Sequence, residues 1–127
     1  MNTEEKIVYS LRRLGLNPTP LEKVGHYISF EDTDIFYCPD DENPEIFRMI
    51  LPLSVEINDE NREQWMDIIN DTNNIMKLTT ASIIDEETIW ISYRSYIFGT
   101  EPLDQMIEVA VKALKHAKMH MIKLTEG

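Results

Sequence analysis

Thr88-Ile89-Trp90-Ile91-Ser92-Tyr93-Arg94-Ser95-Tyr96-Ile97-Phe98 is the stretch on which the fold turns. β-Branched and aromatic residues dominate it, as suits a pleated strand. Its period of two sets Ile89, Ile91, Tyr93 and Ile97 on one face and Trp90, Ser92, Arg94, Tyr96 and Phe98 on the other. The first set reads as core beneath helices. The second is aromatic and carries an arginine, the composition enriched at protein-interface hot spots. Two other readings of that second face are open: the second helix or a loop covers it and both faces are core, or its aromatics line a small-molecule pocket.

Working outward, Lys77 to Ile84 is a partner strand, joined through the turn Asp85-Glu86-Glu87. On the far side a helix starts near Thr100-Glu101-Pro102, where proline is tolerated in the first turn. Leu103, Ile107, Ala110, Val111, Leu114, Ala117 and Met121 form its apolar stripe, and Lys112, Lys115, Lys118 and Lys123 crowd the half where cations complement the helix dipole. Upstream, Trp65, Ile68, Ile69, Thr72, Ile75 and Met76 keep helical spacing after Asn58-Asp59. Asn73-Asn74 near its end is read as an exit from the helix, because Asn tolerates the left-handed conformation.

Further upstream, Val24, His26, Ile28 and Phe30 alternate with Gly25, Tyr27, Ser29 and Glu31 as a half-buried strand. After the polar turn Glu31-Asp32-Thr33-Asp34 comes a short strand, Ile35 to Cys38, then the acidic loop Pro39-Asp40-Asp41-Glu42-Asn43-Pro44. Ile46 to Leu51 is the third strand, and Pro52 is expected to end it or to place it at an edge or bulge. Thr3 to Leu14 is a helix with Ile7, Val8, Leu11 and Leu14 on one face, a capping box in Asn2 and Glu5, and a stop at Gly15. Leu16-Asn17-Pro18-Thr19-Pro20 is read as a stiff connector. The expected architecture is therefore a single α+β domain, residues 1–127, in order α-β-β-β-α-β-β-α. It is a two-layer sandwich of one five-stranded antiparallel sheet with three helices.

Twelve Lys and Arg against 23 Asp and Glu leave a net charge of -11. Such a chain lacks the basic footprint that nucleic acid requires, and it is equally unsuited to anionic lipid. One cysteine, Cys38, makes neither an intramolecular disulfide nor a structural zinc site, and its neighbours mark it as a small apolar strand residue. The N-terminal residues lack the basic and apolar segments of a signal peptide, and no apolar run is long enough to span a bilayer, so a cytoplasmic location is expected.

Catalytic and metal signatures fail one by one. His116 and His120 are spaced for one helix face, but Ala117 stands where a metalloprotease motif needs its glutamate, and Lys115 and Lys118 would repel a dication. Counted from Asp32, an EF-hand loop would need glycine at Tyr37 and glutamate at Asn43. Ser82, Ser92 and Ser95 lack a nucleophile elbow, and isolated glycines build no phosphate loop. No catalytic, cofactor-binding or metal residue is assigned.

The order of elements resembles the type III secretion chaperone-like fold and, more particularly, the YbjN-type family, described as bacterial sensory transduction regulators. The residues carrying the resemblance are Leu51-Pro52-Leu53 leading to Val55-Glu56-Ile57, then the helix from Glu60 with Asn70, Asn73 and Asn74 near its end. Ile89-Trp90-Ile91-Ser92-Tyr93 and the closing helix from Leu103 continue it. The resemblance implies a cytoplasmic, non-enzymatic protein-binding module, chaperone-like or regulatory, without cofactor. The expected partners are a second copy of the chain, as a homodimer, and an extended polypeptide, both engaging Trp90, Tyr96 and Phe98 with Arg94 orienting them. The alternatives are an acidic antagonist or immunity-type protein that masks a basic partner by charge, and a small enzyme working through ordinary carboxylates.

Overall fold

Asn2 starts the first helix by accepting the Glu5 amide at 2.8 Å, while the Glu5 carboxylate accepts the Asn2 amide in return. That reciprocal cap fixes α1 at Thr3–Arg13. Its other end is a Schellman turn: Leu16 donates to the Leu11 carbonyl, Gly15 donates to that of Arg12, and Gly15 takes the left-handed conformation at φ +79°. A computed structural model describes residues 1–126. The remaining elements are β1 Thr19–Leu21, β2 Gly25–Phe30, β3 Thr33–Tyr37, β4 Ile46–Ser54, α2 Arg62–Ile75, β5 Thr80–Asp85, β6 Thr88–Tyr96 and α3 Leu103–Glu126.

The strands form one sheet in the order β1-β2-β3-β4-β6-β5, antiparallel throughout. It has six strands, one more than expected. The extra one is β1, which begins in the last two residues of the segment read as a connector and ends at Leu21. All three of its residues are exposed, so no apolar alternation announces it. Its central residue, Pro20, opposite His26, is tolerated because β1 is the outermost strand, where a missing N–H can face away from the sheet.

Pro52 does not end β4, which continues to Ser54 along β6. The Cys38 amide donates to the Arg48 carbonyl, so even-numbered residues of β4 turn their backbone groups toward β3. The β3 pairing stops at Phe36 opposite Ile50. Pro52 therefore lies past the last rung on that side and forfeits no ladder bond.

The three helices form the second layer, with α3 across β4 and β6, α2 against β5 and α1 against α3. Ile107, Ala110, Val111, Leu114, Ala117 and Met121 of α3 are buried against Phe47, Met49 and Leu51 of β4 and Ile89, Ile91 and Tyr93 of β6. Across this inner face runs an aromatic row: His26 stacks on Tyr37, Tyr37 on Phe47, and the edge of Phe47 meets Tyr93. Burial drives the Tyr37 phenol far above its ordinary pKa.

Asn73 does not provide a left-handed exit from α2. Its side-chain amide donates to the Ala81 carbonyl at 3.0 Å and accepts the Ala81 amide at 2.7 Å, standing in for a neighbouring strand along β5.

Candidate binding surface on the open face of the sheet

Because side chains alternate along a strand, the residues between the core positions of β4 and β6 point away from the helices. Neighbouring rows across β4 and β6 are Ile46 with Tyr96, Arg48 with Arg94, Ile50 with Ser92, and Pro52 with Trp90. Phe36 of β3 extends the Ile50 row and Tyr27 of β2 extends it again. Thr80 and Ser82 of β5 continue the Ser92 and Trp90 rows at the opposite side. The helices pack on the opposite side, and on this one the turn between β1 and β2 reaches the rows at Ile50 and Trp90.

A hollow of about 440 Å³ is sunk into this face. Ile50 and Cys38 are buried in it, Phe36 is half-buried, and Trp90, Arg48, Lys23 and Val24 complete its lining. Val24, in the turn between β1 and β2, is exposed, so the β1–β2 hairpin contributes a rim as well as a sheet edge. The Cys38 thiol is pushed above its ordinary pKa by burial, with the Arg48 charge pulling the other way.

The four residues singled out from sequence share the face without forming one cluster. Trp90, 37% exposed, borders the hollow. Arg94 is exposed two rows beyond Trp90, with the Ser92 row between them. Tyr96, 60% exposed, and Phe98, 80% exposed, form a tilted aromatic pair at the far end with ring centroids 6.1 Å apart. Tyr96 lies six residue steps along the strand from Trp90, on the order of 20 Å. Phe98 lies past the end of β6, and its position is set by Glu101, whose carboxylate accepts the amides of Phe98 and Gly99. Those bonds hold the Glu101 carboxyl below its ordinary pKa.

Sequence reasoning missed Lys23, Val24, Phe36, Arg48 and Ile50. The signal for Arg48 and Ile50 was available, since they fall out of phase with Phe47, Met49 and Leu51 along β4. The contribution of the β1–β2 turn carried no such signal, because it depends on a strand that composition does not reveal.

Electrostatically the face is unlike the rest of the molecule. Arg48 donates through Nε to the Cys38 carbonyl at 3.3 Å. Among the described residues, neither Arg48, Arg94 nor Lys23 has a carboxylate oxygen within 4.0 Å; the ion pairs lie elsewhere, at Arg13–Asp104, Lys115–Glu31, His26–Glu4 and His120–Asp71. His120 is engaged by Asp71 while His116 is exposed beside the C-terminal end of α2, so the two imidazoles have different surroundings. Among the described residues no group of three or more His, Cys, Asp or Glu side chains is placed to hold a metal ion. The carboxyl groups that depart from ordinary values, Asp40, Glu101 and Asp104, are all pulled down, led respectively by hydrogen bonds from the Asn43 amide, the Phe98 amide and the Arg13 guanidinium. A general acid would need the opposite shift. No helix among the described residues is long and apolar enough to cross a membrane.

No protein-family model and no curated protein matches the chain. Solved structures do. An uncharacterised protein from Methanothermobacter thermautotrophicus superposes with a TM-score of 0.74 at 15% identity, over 98% of this chain and 97% of that one. YbjN from E. coli, described as a candidate transcription regulator, superposes at 0.70 with 8% identity, over 96% and 90%. The Yersinia pestis type III secretion chaperone SycH, solved in complex with a stable fragment of YscM2, superposes at 0.59 with 10% identity, over 95% and 98%. The fold is YbjN-like and type III secretion chaperone-like.

Proposed function

We propose that this chain is a non-enzymatic polypeptide-binding module, chaperone-like or regulatory in role, that receives its partner on the open face of the sheet. The observation carrying this reading is a sheet face on which no helix packs, with Trp90 at the rim of a preformed apolar hollow and Tyr96 and Phe98 exposed to solvent at the far end. The fold adds support, because a chaperone of the same architecture was solved holding a fragment of another protein.

The sheet edges favour engagement through the face over strand addition. The β1 edge is three residues long with Pro20 at its centre, and the β5 edge has Ala81 already bonded to Asn73 and an irregular register between Ile83 and Asp85. Such features blunt edge-to-edge pairing.

The test is the double variant Trp90→Ala with Tyr96→Ala. It should retain the circular dichroism spectrum and lose at least about tenfold in affinity for a bound polypeptide, as truncation of interface anchors does. Sedimentation of the same pair of proteins identifies self-association, which the sequence leads one to expect, as one form of that binding. Global unfolding of the variant would assign these side chains to the core and remove the reading.

A further inference from the structure

Arg48 and Arg94 stand directly opposite one another on the open face. Cross-strand partners have Cβ atoms about 5 Å apart, and like charges so placed destabilise a sheet. In a chain with almost twice as many acids as bases, counter-ions for this pair would be easy to supply, yet none lies within ion-pair distance among the described residues. Lys23 adds a third unpaired cation at the hollow's rim. Around Arg48, Arg94 and Lys23 the face is thus locally basic on a molecule of net charge -11; its acids lie to the β3 side, where Asp34 accepts the Tyr27 hydroxyl and Asp40 feels the Arg48 charge from beyond ion-pair distance.

Resting on the polypeptide-binding reading above, we infer that this face selects an extended segment of another protein with an acidic side chain flanked by apolar ones, in the pattern apolar-x-Asp/Glu-x-apolar. Spacing provides the pattern. The Ile50, Arg48 and Ile46 rows are each two residues apart along β4, or roughly 7 Å. Same-side residues of an extended ligand repeat at that interval. A segment running along the strands would place one apolar side chain in the hollow of Phe36, Ile50 and Trp90. Its carboxylate would lie between the two guanidiniums and its second apolar side chain beside Tyr96. Guanidinium forks match carboxylate geometry and lose little freedom in doing so.

A second copy of the chain stacked face to face about a two-fold axis fits less well, because it would bring four guanidiniums together. A nucleic acid has three unpaired cations here to set against the repulsion of the whole acidic molecule.

The experiment is selection of a randomised heptapeptide display library on the intact chain, on Arg48→Gln/Arg94→Gln and on Trp90→Ala/Tyr96→Ala, followed by titration of the enriched peptide and its Glu→Gln counterpart. The wild-type chain should enrich Asp or Glu two positions from bulky apolar residues. It should prefer the acidic peptide by about fivefold or more at low salt, with the preference shrinking as salt rises. The arginine variant should keep the apolar enrichment and lose the acidic one. Apolar enrichment without acid preference, enrichment of Lys or Arg, or a preference that survives Arg48→Gln/Arg94→Gln would overturn this inference and leave polypeptide binding standing. So would a wild-type dimer that the arginine variant dissociates. Enrichment no better than on Trp90→Ala/Tyr96→Ala would remove both.

Discussion

Gly25 shows how much one position can demand without announcing it. It lies at the start of β2 with φ +136°, and a Cβ built there would sit 2.2 Å from the Tyr37 carbonyl oxygen and 2.8 Å from Pro39. Along the sequence it is an ordinary alternate member of a strand. Only the close approach of the β3 backbone makes the missing side chain obligatory, and that approach is a long-range consequence of the sheet. Gly25→Ala is therefore expected to destabilise by at least ~1–3 kcal/mol, the scale of strained backbone conformations, with the clash in addition. Gly15→Ala is the control: φ is also positive, but nothing lies within 4 Å, so a smaller loss is expected. Urea midpoints of the two variants decide it, and equal losses would mean the Tyr37 contact relaxes away.

At the scale of elements, legibility follows how local the determinants are. The Asn2–Glu5 cap, the buried stripe of α3 and the two faces of β6 are written in neighbouring residues, and each is found where its spacing places it. The strand β1 pairs locally, but its three exposed residues carry no apolar alternation, and the hollow depends on pairings between distant segments, so composition is silent about both. Asn73 is intermediate. Its position near the end of α2 is visible, while its role requires knowing that β5 is an outer strand. Removing it should expose that role. Asn73→Ala would leave the Ala81 amide and carbonyl without their partners in a half-buried setting, at a cost of about 1–3 kcal/mol. Asn73→Asp keeps an acceptor for the amide but sets a carboxylate against the Ala81 carbonyl, so it should not rescue. Hydrogen exchange gives the specific signature: the Ala81 amide loses protection while Ile89 and Ile91 keep theirs. Uniform loss across the sheet would instead mean that Asn73 supports α2 packing in general.

For the whole molecule the dominant quantity is charge, and it acts in two opposite ways. An excess of acids repels itself near neutrality, a cost that protonation relieves. Against this, particular carboxylates join elements and need their charge. Asp104 of α3 takes both Arg13 Nε at 2.9 Å and Nη2 at 2.7 Å, tying the end of α1 to the start of α3. Glu101 holds the Phe98–Gly99 turn between β6 and α3. Both carboxyls are depressed below their ordinary values in the folded chain, so unfolding takes up protons in acid. Their stabilisation is complete above the ordinary carboxylate range, near pH 4, and fades as pH falls below it through the folded values. Denaturant midpoints measured from neutrality downward should fall along that limb. Glu101→Gln and Asp104→Asn should each start less stable near neutrality, fall less steeply in acid and converge on the parent at the lowest pH. The Glu101 variant should also free Phe98 at the far end of the binding face while leaving the hollow around Ile50 and Trp90 intact, so its affinity for a short apolar segment should hold as its acid limb flattens. Parallel curves for parent and variants would mean that groups other than these two anchored carboxylates set the acid limit of the fold.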